Sequence, residues 1–183
     1  MPSEWLHLAI RDYYHSIKNY DRWLASLKVE KGEMFREEFC ENYCQHFPCK
    51  NCNKKGREKC EYCQASCGIG GGNFVCALKV SQSYSTTVCY FAQQCLEKFL
   101  KHLLGVSCIK RPKKHNLVKL LMELPRDLIP KIWILTNCIH YLKNYNIARY
   151  SINITLEEVE DCKECVEKIF PSLVNLSNEG ELL

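Results

Sequence analysis

The sequence lacks any long hydrophobic run. No stretch of its 183 residues approaches the roughly 18 apolar residues that a membrane-spanning helix requires, so we expect no membrane association. The first dozen residues have neither a basic segment nor a sustained apolar one, which predicts no secretory signal. Neither sign of charge predominates strongly, since 25 basic and 21 acidic side chains leave a net charge of +4. We therefore expect a soluble cytoplasmic protein without a strong bias towards acidic partners.

Strand-like alternation and internal repeats are absent as well. Apolar residues recur instead at three- and four-residue spacing, which is typical of amphipathic helices. The pattern predicts helices over residues 3–27, 88–105, 116–124, 126–144 and from 155 onward. Thr155 and Glu158 form a capping box that opens the last helix, and Pro171 is expected to stop or kink it. The predicted fold class is all-α, a bundle of four to five helices.

The same spacing predicts which residues face inward. On the first helix they are Trp5, Leu8, Ala9, Tyr13, Ile17, Tyr20 and Leu24. On the second helix an apolar stripe is predicted to face inward. The polar residues between its members are then predicted to lie on the surface, namely Gln93, Gln94, Glu97, Lys98, Lys101 and His102. The spacing of Glu97 and Lys101 favours an ion pair on that surface. On the fourth helix the predicted core residues are Leu128, Ile132, Trp133, Leu135 and Ile139.

Cysteine is the one residue type in excess, with 14 in the chain. Half of them fall in one segment with few aliphatic residues, namely Cys40, Cys44, Cys49, Cys52, Cys60, Cys63 and Cys67. Two Cys-x2-Cys pairs in this segment predict a metal site, because that short turn aims two thiolates at one ion. Structural zinc is the first expectation, and an iron–sulfur cluster and disulfides are the alternatives.

The pairing of these ligands stays open. The simplest first site uses Cys49, Cys52, Cys60 and Cys63, although interleaved pairings are equally allowed. A second ion could be held by Cys40, Cys44 and Cys67 with either His46 or Cys76. Elsewhere, cysteines among apolar residues are predicted to be core residues, namely Cys89, Cys95, Cys108 and Cys138. For Cys162 and Cys165 a core role is favoured over metal binding.

Three short motifs resemble those of the HEPN domain family. The stretch from Phe91 to Lys101 resembles the central helix of that family, with Glu97-Lys98 followed by a further lysine. His115-Asn116-Leu117 is similar to the element that opens the next family helix, and Ala148-Arg149-Tyr150 to the segment before the last one. The resemblance divides the chain into bundle residues 1–39, a cysteine-rich insertion with a glycine joint at 40–72, and the remaining bundle at 73–183.

The resemblance implies an antiparallel helical bundle that is usually a homodimer. Many family members form toxin–antitoxin-like modules with a minimal nucleotidyltransferase, some are ribonucleases, and others bind nucleotides or RNA. In the ribonucleases four to six residues separate an arginine from a following histidine, and this spacing is absent from the sequence. Only three residues separate Arg11 from His15, and Arg111 from His115. We therefore predict no catalytic residues.

Basic residues provide candidates for binding nucleotide or phosphate. The densest group is a loop, and further members come from the flanking helices; together they are Lys98, Lys101, Lys110, Arg111, Lys113, Lys114, His115 and Arg149. Three functional hypotheses follow. The first is a non-catalytic HEPN-like binding or interaction module, and the second is a divergent HEPN ribonuclease that uses Arg11 and His15 or the basic loop. The third is a zinc or iron–sulfur protein that binds nucleic acid or acts in redox chemistry.

Overall fold

The computed structural model describes residues 2–34, 38, 42, 75–107, 115–128, 132–143, 145 and 154–179. In these residues there are five α-helices and no strand, which confirms the predicted all-α class. The helices are α1 (Pro2–Glu30), α2 (Val75–Val106), α3 (Leu117–Met122), α4 (Ile134–Leu142) and α5 (Leu156–Glu179). No helix in the described part of the chain is both long and apolar enough to cross a membrane.

The chain divides into two compact units. The first unit comprises Met1–Lys18 and Thr86–Leu183, and the second comprises Asn19–Ser85. In the first unit α3 packs on α4 and α4 packs on α5. The core of this unit is built from fully buried side chains of α2 to α5, the largest being Phe99, Leu96, Leu100, Leu104, Leu117, Leu120, Leu135, Leu142, Ile169 and Leu173. The apolar stripe predicted on α2 therefore does form part of the core.

Two helices of the first unit begin with side-chain caps. At α5 the Thr155 hydroxyl accepts from the Glu158 backbone N–H at 3.2 Å, while the Glu158 carboxylate accepts from the Thr155 backbone N–H at 2.8 Å. This confirms the predicted capping box, in which two otherwise unpaired N–H groups are satisfied reciprocally. At α3 the Asn116 side chain accepts from the Lys119 backbone N–H at 3.0 Å, so Asn116 is the N-cap.

The second unit contains the end of α1. Tyr20 and Trp23 are buried there, with ring centroids 5.5 Å apart. The helix ends in a Schellman turn, in which the Glu33 backbone N–H donates to the Lys28 carbonyl at 2.8 Å. Gly32 occupies the left-handed position of that turn with φ of 74°, a conformation that side chains with a Cβ disfavour.

Three predictions about the helices were wrong in detail, and of the two effects predicted for Pro171 one was wrong. Leu24, predicted to face inward, is exposed. Trp133, predicted as core, is 69% exposed, because α4 begins only at Ile134 and Trp133 therefore precedes its inward face. Residues 126–128 form a turn rather than the start of that helix. Pro171 does not stop α5, which continues to Glu179.

Candidate functional site

Several polar side chains of α2 are buried in the first unit. The prediction placed them on the surface, but Gln93, Glu97, Lys101 and His102 are all buried. Asp12 of α1 is buried as well. Buried charges are costly unless they are paired and hydrogen-bonded, so their partners decide what this region can do. We refer to Asp12, Gln93, Glu97, Lys98, Lys101 and His115 together as the ion-pair cluster.

Glu97 lies at the centre of the ion-pair cluster. Its Oε1 accepts from Lys101 Nζ at 2.7 Å and contacts His115 Nδ1 at 2.8 Å. Its Oε2 accepts from Gln93 Nε2 at 3.3 Å and from the neighbouring Gln94 amide at 3.4 Å. Both carboxylate oxygens are therefore occupied. The predicted Glu97–Lys101 ion pair is present, but Lys101 is only 4% exposed, so the pair is an internal one.

The charge state of Glu97 follows from these contacts. Burial by itself would raise the pKa of the Glu97 carboxyl, but the hydrogen bonds from Lys101 and His115 outweigh it and hold that pKa below its ordinary value. An ionised carboxylate can only accept, so His115 Nδ1 carries the hydrogen of their shared bond. In neutral His115 the acceptor is then Nε2, on a side chain that is 64% exposed.

A second carboxylate, Asp12, connects α1 to α2. Lys98 Nζ forms an ion pair with Asp12 Oδ2, and the exposed Arg11 guanidinium lies 3.3 Å from Asp12 Oδ1. Ser16 adds a neutral contact between the same two helices, donating to the Val88 carbonyl at 3.0 Å. The ammonium group of Lys101 also lies 4.9 Å from the centre of the Trp5 ring, a cation–π distance. Each cluster lysine is thus matched by a carboxylate.

A family comparison identifies this arrangement of helices. The model of the HEPN domain matches residues 78–176, more than half of the chain. The chain belongs to the HEPN domain family. No curated protein and no solved structure matches it. HEPN domains often dimerise and bind nucleic acid, so family membership supports a nucleic-acid-related role.

The HEPN match extends from α2 into α5. It therefore includes every member of the ion-pair cluster except Asp12, which α1 supplies. Of the predicted phosphate-binding residues, the structure brings Lys101 and His115 together on Glu97 and pairs Lys98 with a different carboxylate, Asp12. The other candidates, Lys110, Arg111, Lys113, Lys114 and Arg149, lie outside the described residues. Phosphate binding by this set stays a prediction.

The predicted metal ligands also lie outside the described residues, from Cys40 to Cys67 together with His46. In the described part of the HEPN chain, no group of three or more histidine, cysteine or acidic side chains is arranged to hold a metal ion. Five cysteines whose side chains the structure describes are buried and form no disulfide, namely Cys89, Cys95, Cys138, Cys162 and Cys165. This confirms the core role predicted for them, while Cys108 falls outside the described residues.

Four of the buried thiols form two neighbouring pairs. Cys162 of α5 lies beside Cys89 of α2, whose thiol donates to the Glu158 carbonyl at 3.7 Å, and Cys165 lies beside Cys138 of α4. Burial raises the pKa of Cys162, and the hydrogen bond with Cys138 together with burial raises that of Cys165. The raised pKa values make Cys162 and Cys165 poor nucleophiles and poor metal ligands, whereas the hydrogen bond with Cys165 lowers the pKa of Cys138. These pairs therefore contribute packing between helices.

Sequence reasoning missed the inward position of Asp12 and Gln93. Helical periodicity assigns polar residues to the solvent side, and this rule fails for a helix whose neighbours cover most of its circumference. A usable signal was present in α1, where Ala9, Asp12 and Ser16 are spaced to share one face and all three are buried. A carboxylate on a face of small residues indicates a buried partner on the adjoining helix.

Proposed function

We propose that this protein is a non-catalytic HEPN module that associates with nucleic acid or nucleotide and acts as the partner of a minimal nucleotidyltransferase. The observation that supports this is the charge matching in the ion-pair cluster. Lys98 is paired with Asp12, and Lys101 and His115 share Glu97, so these cations stabilise the bundle. The arginine-to-histidine spacing typical of HEPN ribonucleases is also absent from the sequence.

The exposed edge of His115 suits a binding role. Glu97 fixes the ring through Nδ1, which leaves the polar Nε2 edge on an exposed side chain where it can meet a ligand. The same histidine precedes the N-cap of α3 and follows the basic loop of the sequence. A basic sequence segment followed by one oriented imidazole is consistent with recognition of phosphate or of a base edge.

The direct test combines native mass spectrometry with an RNA assay on the full chain. We expect the purified protein to retain nucleotide or to bind an added oligoribonucleotide, to leave that strand uncleaved, and to form a complex with a co-expressed nucleotidyltransferase. Failure to bind any nucleotide or oligonucleotide would overturn the nucleic-acid association. Absence of a complex would overturn the partner assignment.

One observation favours a second candidate function, a divergent HEPN ribonuclease. A histidine oriented by a buried carboxylate at 2.8 Å is the arrangement expected of a general base. In that case the RNA strand would be cleaved, and His115→Gln would abolish cleavage. The matched control is His140→Gln on α4, because His140 is also exposed and lies outside the ion-pair cluster. Cleavage equally sensitive to both substitutions would exclude His115 as the base.

A further inference from the structure

The exposed face of α1 has an unusual composition. Between Glu4 and Asp21 the exposed residues are His7, Arg11, Tyr14, His15 and Lys18. All five are basic or aromatic. Asp12, which lies between them in the sequence, is buried, and the exposed acids Glu4 and Asp21 stand at the two ends of the stretch. Their spacing of three or four residues places them on a single helical face of about 16 Å in length. We call these five residues the α1 face.

Two rings of the α1 face, those of Tyr14 and His15, contact other aromatic rings of the protein. Tyr14 is 58% exposed, yet the edges of its ring meet Tyr13 and Phe170 at centroid distances of 5.2 and 6.2 Å. His15 stacks on Phe91 of α2 at 4.9 Å, with an interplanar angle of 25°. Tyr13 and Phe170 stack on each other at 4.2 Å. Rings supported in this way lose little conformational freedom when a further flat group stacks on them.

The two acids that lie closest to the exposed rings, Asp12 and Glu167, are each paired with basic side chains. Asp12 is bound by Lys98 as well as by Arg11. Glu167 forms an ion pair with Lys163 at 2.9 Å. Burial, and in second place the charge of Glu167, raises the pKa of Tyr13. Arg11 and Lys18 therefore lie on either side of the exposed rings, and the exposed acid Asp21 follows one turn beyond Lys18.

We propose that the α1 face binds a single strand of nucleic acid, with phosphates at Arg11 and Lys18 and a base stacked on Tyr14. This proposal rests on the nucleic-acid association proposed above and assigns it a surface. Cations that follow the backbone, together with aromatic rings that accept bases, are the chemistry of single-strand binding. A duplex offers no unstacked base to Tyr14. Protein interfaces also favour tyrosine and arginine but are depleted in lysine, so Lys18 is the residue that favours a nucleic-acid strand over a protein partner.

The test measures fluorescence anisotropy of a labelled oligouridine of about ten nucleotides with the full chain. Tyr14→Ala is expected to raise Kd about 5-fold or more, and Tyr14→Phe, which keeps the ring, to leave it near the native value. Lys18→Ala is expected to weaken binding and to reduce the salt slope of log K by about 0.7. The matched controls are Tyr141→Ala, at a tyrosine that is 50% exposed on α4, and Lys119→Ala, at an exposed lysine of α3.

The outcomes separate this proposal from the function on which it rests. Binding that is lost in Tyr14→Ala, retained in both controls and weaker for the same strand annealed to oligoadenine supports the α1 face. Native binding in Tyr14→Ala and Lys18→Ala overturns the α1 face and leaves the nucleic-acid association intact. Equal affinity for single strand and duplex overturns base stacking. No binding by the unaltered protein to this strand or any nucleotide overturns both proposals.

Discussion

Glu97 provides the sharpest test of the ion-pair cluster at the scale of single residues. Glu97→Gln keeps the size of the side chain but removes the charge that faces Lys101 at 2.7 Å. Lys101 would then be a buried cation without its carboxylate, and breaking a buried pair on one side costs about 3–5 kcal/mol. We expect a correspondingly lower midpoint of urea unfolding, as monitored by circular dichroism.

The control for this substitution is Glu164→Gln on α5. Glu164 also pairs with a lysine four residues away, Lys168 at 2.6 Å, but that pair is exposed and solvent-screened. We expect its urea midpoint to stay close to that of the unaltered protein. Equal loss of stability in the two variants would show that burial of Glu97 has no special energetic consequence.

The same residue makes stability depend on pH. The pKa of Glu97 in the folded protein lies below its ordinary value of 4.5, so the unfolded chain binds the proton more readily. The stabilisation is therefore complete above pH 4.5 and is lost as the pH falls through the folded pKa. We expect the urea midpoint to fall on acidification, and to fall less steeply in Glu97→Gln. Parallel pH profiles of the two proteins would contradict this assignment.

At the scale of elements, the start of α5 has a cap that can be removed by itself. Thr155→Ala deletes the hydroxyl that accepts from Glu158, and loss of an N-cap side chain costs about 1 kcal/mol. We expect a lower thermal midpoint for Thr155→Ala and a near-native midpoint for Thr155→Ser, which keeps the hydroxyl. A Thr155→Ser variant as unstable as Thr155→Ala would show that the methyl group, and not the cap, is responsible.

Elements also show how far sequence reasoning extends. The capping box of α5 could be predicted, because Thr155 and Glu158 lie within one helical turn of each other. Burial of Glu97 could not, since it depends on contacts with residues distant in the chain, of which His115 is one. Trp133 was misplaced because helical periodicity says nothing about where α4 begins. Local hydrogen bonding was therefore readable, whereas the surroundings of each helix were not.

At the scale of the whole molecule, the HEPN family match and the α1 face come from different parts of the chain. The match begins at residue 78, within α2, whereas the α1 face lies before it. Asp12 connects the two, because it is supplied by α1 and binds Lys98 of the matched region. Residues that precede the family match thus contribute both to the buried polar network and to the outer surface.

The cysteine-rich segment from Cys40 to Cys67 is expected to bind a structural metal ion. It has few aliphatic residues with which to form a core, so bound metal would supply its folding free energy. We expect elemental analysis of the purified protein to find stoichiometric zinc, and Cys49→Ser with Cys52→Ser to lower the zinc content. Cys95→Ala is the matched control, because Cys95 is a buried core thiol of α2 and should leave the zinc unchanged. A fully folded preparation without metal would exclude a structural ion, and a visible absorbance band with bound iron would replace zinc by an iron–sulfur cluster.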